Sequence, residues 1–175
     1  MIRRLASRTV YENRWMRVRE DDIERADGSR GVFGAVEKPD FALIIPKDEG
    51  GLWLVEQFRY PVGQRLWEFP QGSWEGDSSV EPGDLARAEL EEETGLRAGA
   101  LRHLGHLYEA YGYSTQGFDV WLATDLTLGR VHRTAEEQDM RTRRVADDEW
   151  VAMVRAGAVK DGPSLAAYGL LLLEH

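Results

Sequence analysis

The chain has 175 residues, of which 42% are hydrophobic and 30% are charged, a balance typical of one folded globular domain. Its formal net charge of −9 argues against nucleic acid or an anionic membrane surface as a partner. The absence of cysteine excludes disulfides, a thiolate zinc site and a cysteine nucleophile. The basic N-terminus lacks an apolar signal-peptide core, and the most apolar run, residues 164–173, is about half as long as a membrane span. We therefore expect a cytoplasmic protein.

The first part of the chain predicts β structure. Short β-branched or aromatic runs indicate strands, and the Asp27-Gly28 pair between the second and third runs predicts a hairpin turn. Pro70 and Gly72 close the last of these strands. The predicted strands lie at residues 10–11, 15–19, 31–37, 41–46, 52–60 and 67–72.

A helix follows over residues 85–94, with its N-cap at Pro82-Gly83-Asp84 and Gly95 as its C-cap. Many strands around one central helix, with two helices near the C-terminus, indicate an α+β fold of the helix–sheet–helix sandwich type. Further strands are predicted at residues 101–108, 118–123 and 140–145, and further helices at residues 147–155 and 164–173.

The central helix ends in an acidic cluster formed by Glu89, Glu91, Glu92 and Glu93. A helix carries partial negative charge at its C-terminal end, so glutamates in the last turn are disfavoured there. Glu89 and Glu93 are also like-charged i,i+4 neighbours. A solvated surface face is one interpretation. The other is a site for Mg²⁺ or, second, Mn²⁺, because hard cations prefer carboxylate oxygens and would remove the repulsion.

The segment from Gly72 to Leu96 resembles the Nudix box, whose pattern is G-x(5)-E-x(7)-R-E-U-x-E-E-x-G-U with U aliphatic. Residues 89–96, ELEEETGL, match E-U-x-E-E-x-G-U at every position. The first half departs from the pattern, because Ala88 occupies the arginine position, with Arg87 one place upstream. The spacing from Gly72 to the first matching glutamate is also two residues too long.

The resemblance implies a mixed β-sheet flanked by helices in an α/β/α sandwich. It implies Glu89, Glu92, Glu93 and the carbonyl of Gln71 as metal ligands. The implied reaction is Mg²⁺-dependent hydrolysis of a nucleoside diphosphate linked to another moiety, with Mn²⁺ as a possible substitute. The substrate is then a small molecule, with neither nucleic acid nor a membrane as partner.

Residues 55–72, VEQFRYPVGQRLWEFPQG, are similar to the ADP-ribose and nucleotide-sugar pyrophosphatase branch of this family. In that branch, the arginine and glutamate corresponding to Arg59 and Glu68 help to hold the diphosphate and terminal ribose. A surface salt bridge and a strand-edge carboxylate are the alternatives for these two residues. A proline usual in that branch is replaced by the Tyr111–Ser114 region, and Tyr111 or Tyr113 is a candidate for stacking on a base, with aromatic packing as the alternative.

The catalytic base of the family often comes from a loop that residues 135–140 resemble. Gln138 falls at the usual glutamate position and cannot accept a proton. The candidates are therefore the neighbouring Glu137 or Glu136, or a box glutamate, for which Glu92 is the choice.

The N-terminal strands resemble a β extension through which this branch forms homodimers. We therefore predict one Nudix domain over residues 1–175, with an antiparallel β extension at 1–38 and a core at 39–175. The predicted reaction converts ADP-ribose to AMP and ribose 5-phosphate. The alternatives are a nucleotide sugar, a dinucleoside polyphosphate or an NADH-type dinucleotide as substrate, or a Nudix-fold nucleotide sensor without turnover, which Ala88 and Gln138 would suit.

Overall fold

A computed structural model describes residues 1–73, 81–131, 133 and 138–174. The chain forms two compact units. The first comprises Met1–Asp40 and Tyr108–Phe118, and the second comprises Phe41–Leu107 and Asp119–His175. The first unit therefore ends near the predicted boundary at residue 38 but also takes in a later segment. The single-domain organisation stays a prediction.

The first unit contains a three-stranded antiparallel sheet in the order β1-β2-β3. The turn between the last two strands lies at Asp27-Gly28, as predicted, with Gly28 at a φ of 81° and the Ser29 N–H donating to the Asp27 carboxylate at 3.0 Å. The strands are β1 (Arg3–Glu12), β2 (Arg17–Glu24) and β3 (Arg30–Glu37).

The second strand begins later than predicted because residues 13–16 form a polar turn. The Asn13 side-chain oxygen accepts hydrogen bonds from the backbone N–H groups of Trp15 and Met16, both at 2.9 Å. An asparagine that satisfies backbone donors in this way competes with strand pairing. Extended pairing therefore starts only at Arg17.

The second unit is built on a seven-stranded sheet whose main path runs β10-β5-β4-β9-β8, with β6 paired to β5 and β7 paired to β4. The turn between β4 and β5 lies between Asp48 and Gly51, and Gly51 has a φ of 136°. The strands are β4 (Phe41–Asp48), β5 (Gly51–Arg59), β6 (Gln64–Glu68), β7 (Gln71–Gly72), β8 (Leu96–Tyr108), β9 (Gly117–Leu128) and β10 (Arg141–Val145).

Three helices complete the second unit: α1 (Pro82–Thr94), α2 (Asp147–Arg155) and α3 (Gly162–Leu172). Helix α1 starts earlier than predicted because Pro82 occupies its first turn, where the fixed φ of proline suits a helix and its missing N–H costs nothing. It ends at Gly95 as predicted, with a φ of 73° and its N–H bonded to the Glu91 carbonyl. Among the described residues, no helix is long and apolar enough to cross a membrane.

Strand β4 is the centre of the core, since helices α1 and α3 both pack against it. Residues 41–46 of this strand are apolar and buried, because side chains on both faces of the sheet are covered, whereas Lys47 and Asp48 at its end are half-buried. Among the buried aromatic side chains, Phe69 stacks on Trp150 with ring centroids 4.8 Å apart. The core under α1 consists of Ala42, Ile44, Ala86, Leu90, Leu96 and Ala123. The predicted helix–sheet–helix sandwich is confirmed.

Candidate active site

The acidic end of helix α1 delivers one carboxylate into the interior. Ala86, Leu90 and Glu93 recur at helical spacing on the buried face of α1, so packing of the two apolar residues carries Glu93 inward. Its side chain is only 1% exposed. Its Oε2 accepts a hydrogen bond from the backbone N–H of Gln71 at 3.1 Å. The predicted ligand positions Glu93 and Gln71 are therefore neighbours.

A second carboxylate of α1 reaches the same segment. Glu89 lies one turn before Glu93, and its carboxylate lies directly against the Cα of Gly72. A Cβ at residue 72 would collide with that carboxylate. Glycine therefore lets the Glu89 carboxylate lie against β7, where Gly72 pairs with Ala42 of β4, whereas a larger residue would displace this carboxylate. This contact is a physical reason for a glycine at the first position of the box.

Glu92 is half-buried on the same last turn, and Glu91 accepts a hydrogen bond from the Nε of Arg97 at 2.7 Å. Within the described ranges, no three acidic or histidine side chains are gathered closely enough to hold a cation. Glu89 and Glu93 both lie beside the 71–72 backbone. These oxygen donors fit a hard divalent cation.

Arg59 and Glu68, the predicted substrate residues, form an ion pair. Arg59 donates from Nε to Glu68 Oε2 at 3.0 Å and from Nη2 to Oε1, which also accepts from Gln57 Nε2 at 2.7 Å. Glu68 is 1% exposed, whereas the Arg59 side chain is 40% exposed. Burial raises the pKa of the Glu68 carboxyl, and the Arg59 charge opposes that rise. Although burial works against it, the charge of Glu68 raises the pKa of Arg59.

Two further residues of this network were not predicted. Asp161 caps α3 by accepting the Ser164 N–H at 2.8 Å, and the same Oδ2 accepts from the Gln71 side chain at 3.3 Å. The Ser164 hydroxyl accepts the N–H of Phe69 at 2.9 Å. The segment before Gln71 is therefore tied to the start of α3. The Asp161-Gly162-Pro163 sequence, an N-cap followed by proline, is the signal that would have identified it.

The other predicted residues fall elsewhere. Tyr113 belongs to the first unit and is 61% exposed, and Tyr111 is exposed too, so neither is ordinary core packing. Gln138 lies in an exposed turn. Glu136 and Glu137, the candidate bases, lie outside the described residues.

The NUDIX domain family model matches residues 37–167, which span the whole of this network. The chain belongs to the Nudix family. Residues 2–36 match the nucleoside diphosphate sugar hydrolase N-terminal domain. The predicted family is therefore confirmed. Nudix hydrolases generally use divalent metal ions and act on small nucleotides, which agrees with the donor set at Glu89 and Glu93.

Two curated relatives share the name ADP-ribose pyrophosphatase. The protein from Mycobacterium tuberculosis is 36% identical over 144 residues, covering 78% of this chain and 66% of that protein, just under two thirds of its length. The protein from Bacillus subtilis is 27% identical over 173 residues, covering 98% of this chain and 92% of that protein.

A solved structure shares the fold. The crystal structure of an ADP compounds hydrolase superimposes with a TM-score of 0.86 at 21% identity, covering 97% of this chain and 91% of that one. The predicted sheet flanked by helices, with antiparallel strands at the N-terminus, is confirmed by this likeness.

Proposed function

We propose that this Nudix protein hydrolyses ADP-ribose to AMP and ribose 5-phosphate with Mg²⁺, for which Mn²⁺ can substitute. The observation that carries the proposal is the meeting of Glu89 and Glu93 at the backbone of Gln71 and Gly72, with the Arg59–Glu68 pair in the same unit. The names of the two curated relatives support ADP-ribose as the substrate.

Glu89, Glu92, Glu93 and the Gln71 carbonyl would hold the metal. When bound, the metal neutralises the diphosphate and acidifies a water. The Gln71 N–H donates to one oxygen of the Glu93 carboxylate and so helps to orient that carboxylate. Because Glu93 is buried, its orientation is fixed before substrate arrives.

The Arg59–Glu68 pair would bind the diphosphate through the arginine alone. Glu68 is too deeply buried to meet a substrate, whereas Arg59 keeps an exposed part of its guanidinium. The bidentate contact locks the planar guanidinium, so a phosphate meets a preoriented donor. In this proposal Glu68 positions Arg59, and Arg59 contacts the substrate.

The water must lose a proton as it attacks phosphorus, and the acceptor is a carboxylate. Glu92 and Glu137 are the proposed acceptors, and the catalytic part of Glu93 would be to hold the metal. Glu92 is half-buried at the end of α1. The amide of Gln138 has no basic oxygen to take the role.

The exposed rings of Tyr111 and Tyr113 favour a second candidate class. Flat aromatic surfaces stack on bases, so a dinucleoside polyphosphate or another dinucleotide is the alternative substrate. We propose Tyr113 as the stacking residue in either case.

The test is incubation of the purified protein with ADP-ribose and Mg²⁺, with AMP followed by chromatography. Glu93→Gln is the control, since glutamine keeps the size and the bond to Gln71 but loses the charge. We expect AMP release by the wild type and a loss of roughly 10²-fold or more in the variant. Equal AMP in both samples would refute the metal site, and no AMP in either would move the assignment to a dinucleotide or to a sensor.

We also propose a homodimer formed through the first unit. Apolar side chains are exposed on its sheet, including Leu5, Val10, Val32 and Phe33. Exposed apolar patches of this kind mark interfaces. Light scattering with size exclusion would give twice the mass of 19.9 kDa for the wild type. Phe33→Asp would give the monomer mass, and a monomeric wild type would refute the dimer.

A further inference from the structure

The C-terminal end of α1 concentrates negative charge from two sources, the glutamate side chains and the backbone carbonyls of the last turn, which form the negative end of the helix dipole. A positively charged donor at one of these carbonyls offsets part of that charge. Neither Ala88, at the arginine position of the box, nor the neighbouring Arg87 supplies such a donor. Ala88 has no charge, and the Nη1 of Arg87 donates to the Ala98 carbonyl at 2.9 Å.

Arg133 supplies the missing donors from outside the box. Its Nε and Nη2 both donate to the Glu93 carbonyl, at 3.1 and 3.0 Å. Its Nη2 also donates to the Thr142 hydroxyl at 2.8 Å, and its Nη1 donates to the Met140 carbonyl. The Thr142 hydroxyl lies 3.3 Å from the same Glu93 carbonyl. One guanidinium therefore joins the end of α1 to the start of β10.

These contacts fix Glu93 at two points. Arg133 and Thr142 hold its backbone carbonyl, while the Gln71 N–H holds its carboxylate. The guanidinium also places a positive charge at the negative end of the helix dipole. Only arginine presents enough donors in a planar fork to reach Glu93, Met140 and Thr142 together.

We propose that Arg133 is a positioning residue for metal binding, which supports the glutamate-bearing end of α1 through the Glu93 carbonyl. It acts through Glu93 and touches neither cation nor substrate. The proposal rests on the proposed function in one respect: Glu93 must be a metal ligand.

The test compares Arg133→Gln and Arg133→Lys with Arg97→Gln. Arg97 is a matched control because it lies beside the same end of α1 but pairs with Glu91, which is not a proposed ligand. Free Mn²⁺ is measured by electron paramagnetic resonance during titration, well below the unfolding temperature of each variant. Steady-state hydrolysis of ADP-ribose gives kcat and KM separately.

We expect Arg133→Gln to weaken Mn²⁺ binding and to lower kcat, each by roughly 10-fold or more, while KM for ADP-ribose changes little. Arg133→Lys keeps the charge without the fork and falls between wild type and Arg133→Gln. Arg97→Gln stays near wild type. If Arg133→Gln does not fold, the lysine variant carries the comparison.

Equal Mn²⁺ affinity in the Arg133 variants, Arg97→Gln and wild type would overturn the proposal, even if the Arg133 variants unfold at lower temperature. Weaker Mn²⁺ binding by the Arg133 variants in a protein that releases no AMP would uphold it and reject ADP-ribose as the substrate. Failure of the Arg133 proposal can therefore be distinguished from failure of the ADP-ribose assignment.

Discussion

The two units of the protein are stabilised in different ways. In the second unit, Leu43, Ile44 and Leu54 are fully buried between sheet and helices. In the first unit, all ten residues of β1 are exposed, and the few buried side chains include Ile23, Ala35 and the charged Asp21. Hydrophobic burial is the largest favourable term in folding, so the second unit has its own core and the first has little of one.

In the first unit, ion pairs link the side chains of neighbouring strands. Arg17 and Arg19 both pair with Glu37 at 2.7 Å, and Arg8 pairs with Glu20 across β1 and β2. Exposed pairs contribute little each, about 0–1 kcal/mol. The contrast teaches that the second unit has an apolar core in which Glu68 and Glu93 are held, whereas the first unit leaves most side chains of its sheet exposed or half-buried.

The largest expected difference is between two tryptophans truncated in the same way. Trp150 is 1% exposed and stacks on Phe69, so Trp150→Ala should lower the free energy of unfolding by about 3–5 kcal/mol. Trp15 is 46% exposed, so Trp15→Ala should cost less than about 1 kcal/mol. Urea denaturation at low protein concentration measures both. An equally large loss at Trp15 would contradict the contrast and indicate that another chain covers the first unit.

Neutralising Glu68, one of the buried carboxylates of the second unit, should lower activity. Glu68→Gln frees Arg59 from its bidentate contact, so we expect kcat/KM for ADP-ribose to fall roughly 30-fold, about 2 kcal/mol. Glu56→Gln is the control, because Glu56 accepts from Arg65 Nε at 3.1 Å on the same pair of strands. The same loss of kcat/KM in both variants would mean that Arg59 has no special role.

A partly exposed ion pair of the second unit should make stability depend on pH. Hydrogen bonds from Arg144 lower the pKa of Asp48 to about 2, assisted by Trp53 and Gly50. A lowered pKa stabilises the fold above the unfolded value, near 3.9, and this contribution is lost as pH falls toward about 2. With solvent screening, Asp48→Asn should cost about 1–1.5 kcal/mol at pH 7. Urea denaturation from pH 7 to pH 3 measures the free energy of unfolding of both proteins. The difference between wild type and Asp48→Asn should shrink below pH 4. A difference that stays constant over this range would contradict the lowered pKa of Asp48.

Local sequence patterns predicted features of both units. The helix over residues 147–155 has its predicted bounds, and the C-cap at Gly95 and the hairpin at Asp27-Gly28 are confirmed, because each depends on residues close in sequence. The predicted start of α1 was three residues too late and that of α3 two residues too late, because Pro82 and the Asp161 cap extend these helices toward the N-terminus.

The residues of the site could be predicted only where they belong to a sequence motif. Glu89, Glu93, Gln71 and Gly72 lie within or beside one motif and are neighbours in space. Arg133 contacts Glu93 from 40 residues away, and Asp161 contacts Gln71 from 90 residues away, distances over which no periodicity carries information. Such contacts depend on the order of strands in the sheet, which a single sequence does not specify.

The smallest expected effect concerns Arg3 and Glu24, which lie opposite each other on β1 and β2 at 2.9 Å. Their side chains are 68% and 28% exposed, so a double-mutant cycle with alanine should give a coupling of about 0.2–0.5 kcal/mol that falls with added salt. The cycle is measured by urea denaturation at low and high ionic strength. A salt-independent coupling above about 1 kcal/mol is found only for pairs shielded from water. That result would mean that β1 is covered by a second chain, so that the first unit gains from association the burial that the second unit gains from folding.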